Sequence, residues 1–164
     1  MAKITQIGLG RKASGTIDGI TYVTRNGVTY ARSAPSIPAS VFKTPEALKR
    51  QAIFKLIQMH LKYHLPTIRQ TFSSKGNGTP SNRYFSVNYK ALSNALDVLA
   101  DQYVAGEEIT ITDVETAISA YAEENPTSIV IASKRGYEEV FLSGPWPETI
   151  TLRTKGSDST VIVS

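Results

Sequence analysis

Cysteine is absent from this 164-residue chain, so it can build no disulfide framework, no thiolate nucleophile and no cysteine-bearing zinc site. Its stability must come from packing alone. Histidine occurs only twice, which confines any imidazole chemistry to His60 and His64. No eighteen apolar residues run uninterrupted, and the opening Met1-Ala2-Lys3-Ile4-Thr5 is too polar for a secretory signal. We therefore expect no membrane span, and a protein made and kept in the cytoplasm until it joins an assembly. Acidic residues are scarce in the first half: through Lys90 only Asp18 and Glu46 stand against fourteen Lys and Arg. From Ala91 onward twelve acidic residues face four basic ones. The net charge of +4 thus conceals a charge separation along the chain, which bears on partners and association and not on fold. Either the two halves neutralise each other, or the basic half meets an anionic partner.

With 41% hydrophobic residues the chain is long enough to bury a core. Its glycine-rich start is not a phosphate cradle. Gly8-Leu9-Gly10 is not followed by a glycine three residues on, Gly15 is followed by Thr16 where a P-loop needs lysine, and no helix pattern follows to supply its N-terminus. The glycines serve turns instead. Asn26-Gly27 lies between Ile20-Thr21-Tyr22-Val23-Thr24 and Val28-Thr29-Tyr30-Ala31-Arg32, and Asn-Gly suits the positive φ angles of a type I′ hairpin turn. A two-residue turn sets Arg25 opposite Val28, Val23 opposite Tyr30 and Thr21 opposite Arg32, with Tyr22 and Ala31 on the other face. Neither face is cleanly apolar, so the ribbon needs a further strand, such as Ile4 to Ile7, or another surface.

Residues 34–40 read as an extended Pro/Ser linker. Thr44, Pro45 and Glu46 start a helix expected to reach Leu65, where Pro66 forces a break and opens a second short helix through Phe72. Gln51, Lys55, Gln58 and Lys62 form one narrow polar stripe on it, and nearly everything else is apolar, the mark of a helix covered by its own fold or by a neighbouring subunit. After a loop at Ser73 to Gly78, Thr79-Pro80 repeats the same start for one helix over 81–102. Thr112 with Glu115 reads as the capping box of another, with Glu115 on its polar reverse face. Strands are expected over 128–133, 137–142, 149–154 and 159–163. The fold class is α+β: an N-terminal β-hairpin, central long helices, and a C-terminal helix with a small antiparallel sheet. The regions are a ribbon arm and linker (1–40), a helical region (41–105) and an α+β region (106–164).

The chemistry expected from this sequence is sparse. His60 and His64 stand four apart, a spacing at which two imidazoles can share a metal, but no glutamate follows the first histidine, so the protease-type zinc signature is missing. At ~100° per residue His60 points away from the polar stripe. It is read as a neutral, hydrogen-bonded core or interface histidine ahead of a metal ligand. Glu107-Glu108, Glu123-Glu124 and Glu138-Glu139 are adjacent pairs whose side chains diverge, and no Gly-x-Ser-x-Gly elbow occurs. We expect no catalytic, cofactor-binding or metal residues, no cofactor and no enzyme activity. The candidates for interface or anion contact are Tyr22, Arg25, Tyr30 and Arg32 on the ribbon, and Arg50, Lys55, Lys62 and Arg69 on the helices. The expected partners are other protein subunits in an oligomer or larger assembly, with nucleic acid as the alternative because a basic ribbon can enter a DNA groove.

The run Ser14-Gly15, Gly19, Tyr22, Gly27, Tyr30, Arg32, Pro35, then Thr44, Arg50-Gln51 and Phe54, then Phe85 and Asn88-Tyr89 resembles a domain-of-unknown-function family of Bacteroidota and their phages. The resemblance covers about the first 95 residues. The linker lacks an Asn-Pro before Thr44, and Gln51 stands where the family pattern favours arginine. The resemblance implies a phage or mobile-element component, incorporated into a virion, and carries no catalytic residue with it.

Overall fold

The computed structural model describes residues 2–4, 15–17, 20–25, 28–33, 39–74, 78–157 and 159–163. They fall into two compact units, Met1–Phe42 and Lys43–Ser164. In the first, β1 (Ala2–Ile4), β2 (Gly15–Ile17), β3 (Ile20–Arg25) and β4 (Val28–Ser33) form one antiparallel sheet in the order β1-β4-β3-β2. The hairpin register is the expected one, with Arg25 opposite Val28, Val23 opposite Tyr30 and Thr21 opposite Arg32. Its Asn-Gly turn and the glycines Gly8 and Gly10 lie outside the described residues. The added strand on β4 is Ala2–Ile4, which shares Ile4 with the expected Ile4 to Ile7; the rest of that expected strand lies outside the described residues. Thr24 and Thr29, cross-strand partners, bond through their hydroxyls at 2.8 Å. The end of the expected linker is helical: Ala39–Lys43 make a short 3-10 turn.

The second unit begins with α1 (Pro45–Tyr63). Thr44 accepts from the Ala47 N–H, and Pro45 occupies a position whose N–H would have no partner anyway. The helix ends two residues before the expected Leu65. Pro66 has no N–H to continue it and its ring would meet the carbonyl of Lys62, so His64 turns out of the helix (φ −94°, ψ 14°) and α2 (Leu65–Thr71) starts afresh. Ala52, Ile53, Leu56, Ile57, His60 and Leu61 are buried, while Gln51, Lys55 and Lys62 face outward. The apolar surface is thus covered largely by the chain itself. Phe54, 52% exposed, is the main exception on this helix's middle turn and meets Phe85 edge-on at 5.7 Å.

The helix expected over 81–102 is two: α3 (Pro80–Ala95) and α4 (Asp97–Val104), separated at Leu96 (φ −101°, ψ 6°). No proline or glycine marks this break. A tertiary tie accompanies it: Lys49 of α1 reaches Asp97 at 2.9 Å and Asp101 at 2.8 Å on α4. Next comes α5 (Ile111–Glu124), whose capping box is Thr110 with Asp113 and not Thr112 with Glu115.

The expected strands shorten to β5 (Val130–Ala132), β6 (Val140–Phe141), β7 (Ile150–Arg153) and β8 (Thr160–Val163), paired β5-β6 and β7-β8 as two small antiparallel sheets. β5 is buried at all three residues, and Asn88 of α3 holds it by the backbone. The Asn88 side chain donates to the Val130 carbonyl and accepts from the Val130 N–H, both at 2.7 Å, as a neighbouring strand would. Residues 41–105 and 106–164, read as separate regions, therefore share one core, from Leu56 and Ile57 through Leu92 and Leu96 to Ile118, Ile129 and Leu152. The protein is α+β. Among the described residues no helix is long and apolar enough to cross a membrane.

Candidate functional site

Among the described residues, a cluster of buried polar side chains lies where α1, α3 and α5 meet. His60 and His64 come from the last turn of α1 and its cap, four residues apart and so on one side of the helix. Their rings stand edge to face, centroids 4.9 Å apart. Glu115, in the second turn of α5, bridges them: its carboxylate accepts from His60 Nδ1 at 2.6 Å and from His64 Nε2 at 2.9 Å. The other His60 nitrogen, Nε2, lies 2.7 Å from the Tyr84 hydroxyl of α3. Trp146, from the Gly144-Pro145-Trp146-Pro147 turn, stacks on His64 with centroids 4.0 Å apart and rings 19° from parallel, and meets His60 at 5.5 Å.

Charge and proton positions follow from this geometry. Burial pushes the His60 imidazolium down, and although the Glu115 carboxylate opposes that, the net shift is downward. His60 is therefore neutral. Its Nδ1–H donates to Glu115, which leaves Nε2 as an acceptor for the Tyr84 O–H. Tyr84 is entirely buried, and burial pushes its phenol upward, with the Glu115 charge adding to the effect, so it acts as a neutral donor. For Glu115 burial works against the carboxylate, but the hydrogen bonds from His60 and His64 outweigh it and hold the pKa at about 2. With His60 neutral, these are charge-assisted hydrogen bonds and not a full ion pair between His60 and Glu115.

The burial expected of His60 is observed: it is wholly enclosed, and His64 nearly so. Sequence reasoning missed Glu115, Tyr84 and Trp146. A signal for Glu115 existed, since it follows Ile111 by four residues and precedes Ile118 by three, which sets it on the inward face of α5.

The eight contact candidates do not converge on this cluster. Tyr30 and Arg32 share one face of the N-terminal sheet with Val23, and Tyr22 lies on the other; Arg25 pairs with Val28 at the strand end. Arg32, Arg50, Lys62 and Arg69 are exposed and make no ion pair among the described residues. Lys55 is engaged within its own unit, where its ammonium hydrogen-bonds the Tyr103 hydroxyl and lies 4.7 Å from that ring's centroid. Comparison with protein-family models, curated proteins and solved structures gave no match for this chain.

Proposed function

We propose that this protein is a non-enzymatic assembly subunit of a phage particle or mobile element, acting through protein–protein interfaces. One observation carries the reading: the β3–β4 hairpin exposes an apolar side chain on each of its faces. Ile20 on one face and Val23 on the other are each 40% exposed, and of the β3 and β4 side chains whose burial is described only Thr29 is buried. A sheet gains its stability by burying at least one face against another layer, and on this reading a neighbouring subunit supplies that layer. The virion or mobile-element setting rests only on the sequence resemblance of about the first 95 residues, which no family model matches. If the sheet is the contact, replacing both Ile20 and Val23 by lysine weakens association by about tenfold or more, measured by light scattering behind a sizing column. Unchanged association in that variant would move the interface elsewhere.

A second reading is direct binding of DNA or RNA. It is favoured by Arg32, Arg50, Lys62 and Arg69, exposed and without an ion pair among the described residues. Anisotropy titration with labelled duplex and single-stranded DNA at two salt concentrations tests it. Phosphate contacts require affinity to fall steeply as salt rises; absence of binding at low salt removes this reading.

A further inference from the structure

We propose that His60, His64 and Glu115 form a binding site for one divalent transition-metal ion of the zinc type. The proposal is independent of the assembly role. Two imidazoles and a carboxylate make a donor set suited to zinc, cobalt(II) or nickel(II), and unsuited to magnesium or calcium, which take oxygen ligands. Donor atoms of the three residues lie within 4.8 Å of one another. Ligands at zinc-bond lengths in a tetrahedral site stand about 3.3 Å apart. The Glu115 oxygens are 2.6 and 2.9 Å from His60 Nδ1 and His64 Nε2, so to admit the ion these two contacts open by a few tenths of an ångström while the donor set, spread over as much as 4.8 Å, closes toward one centre.

The surroundings support the same use. A metal-bound histidine has its remote nitrogen held by a hydrogen-bond partner that fixes ring orientation. Tyr84 is so placed on His60 Nε2. Metal at Nδ1 leaves the imidazole proton on Nε2, and the Tyr84 hydroxyl, now turned, accepts it in place of donating. Trp146 fixes the plane of His64 by stacking. The Glu115 side chain retains 22% exposure, so the cluster is shielded yet reachable from solvent, and a water or a group from another molecule can complete the coordination.

The absence of cysteine and of any third histidine makes the test clean. The untagged chain, freed of metal by EDTA and exchanged into buffer, is titrated with zinc chloride while the imidazole ring-proton signals are followed by NMR, and with cobalt chloride while visible absorption is followed. The proposal predicts saturation at one equivalent, movement of both histidines' signals and cobalt bands of four- or five-coordinate intensity. Tyr84→Phe should retain the site with affinity reduced by about 10–100-fold. Glu115→Gln, which keeps the side chain's volume, should lose more than that. Zinc uptake that leaves both imidazoles unperturbed, or no uptake at tenfold excess, overturns the site and leaves the cluster as a hydrogen-bonded lock. The wild-type titrations decide the matter even where a variant fails to fold.

Discussion

Replacing Asn88 by alanine should lower the stability of the Lys43–Ser164 unit by about 2–5 kcal/mol, because each buried backbone group left without a partner costs ~1–3 kcal/mol and a small cavity adds to that. Asn88 is fully buried and spends both ends of its amide on the N–H and C=O of Val130. These two bonds join α3 to the buried strand β5, so their loss strikes the junction between the helical and C-terminal halves of one core. Urea denaturation followed by tryptophan fluorescence measures the effect, since Trp146 is the chain's only tryptophan and sits in the same unit. A loss this large is a substantial part of the ~5–15 kcal/mol that holds a domain of this kind together. A shift below about 1 kcal/mol would mean that water or a rearranged strand replaces the amide.

The second large effect is expected at Glu115. Its removal in Glu115→Ala strips the acceptor from the His60 Nδ1–H, which is enclosed, and from the His64 Nε2–H. Hydrogen bonds to a charged partner contribute ~1.5–3 kcal/mol each, so a loss of about 2–4 kcal/mol is expected after partial relaxation. The pH dependence of the metal-free protein is the sharper signature. Glu115 titrates at about 2 in the folded chain and near ~4.3 when unfolded, so its stabilisation is complete above ~4.3 and is lost as pH falls toward 2. His60 acts in the same direction. Its folded pKa lies below the unfolded value of ~6.5, so on acidification the unfolded chain takes up a proton that the folded one excludes. Stability should therefore decline from about pH 6.5 downward, in two overlapping stages. In Glu115→Gln, measured in EDTA, the lower stage between ~4.3 and 2 should disappear. A wild-type profile flat from pH 7 to 3 would show that these groups are not held as described.

The features legible in the sequence are those set by near neighbours. The β3–β4 register is the one that the Asn26-Gly27 dipeptide predicts, and the starts of α1 and α3 follow from Thr44-Pro45 and Thr79-Pro80, whose hydroxyls and rings act within one helical turn. The errors arise where a distant group decides. Thr110-x-x-Asp113 and Thr112-x-x-Glu115 are equally good capping signals on paper. The earlier one caps α5 in the fold, and Glu115 is thereby free to face two histidines 55 and 51 residues upstream. The break at Leu96 likewise has no local cause, and the groups tied across it, Lys49 with Asp97 and Asp101, are about fifty residues apart. His60 was legible as a buried group from its angle on α1, but its partners Tyr84 and Trp146 come from elements whose placement no spacing along the chain reveals.

The proposed assembly role predicts that a hairpin with an exposed apolar side chain on each face does not remain solitary. Sedimentation velocity of the untagged chain over a hundredfold range of concentration is the direct measurement. The account predicts a sedimentation coefficient that climbs with concentration, and a climb that is suppressed when Ile20 and Val23 are both lysine. A single monomeric boundary across the whole range, with the N-terminal sheet intact by amide exchange, would contradict it.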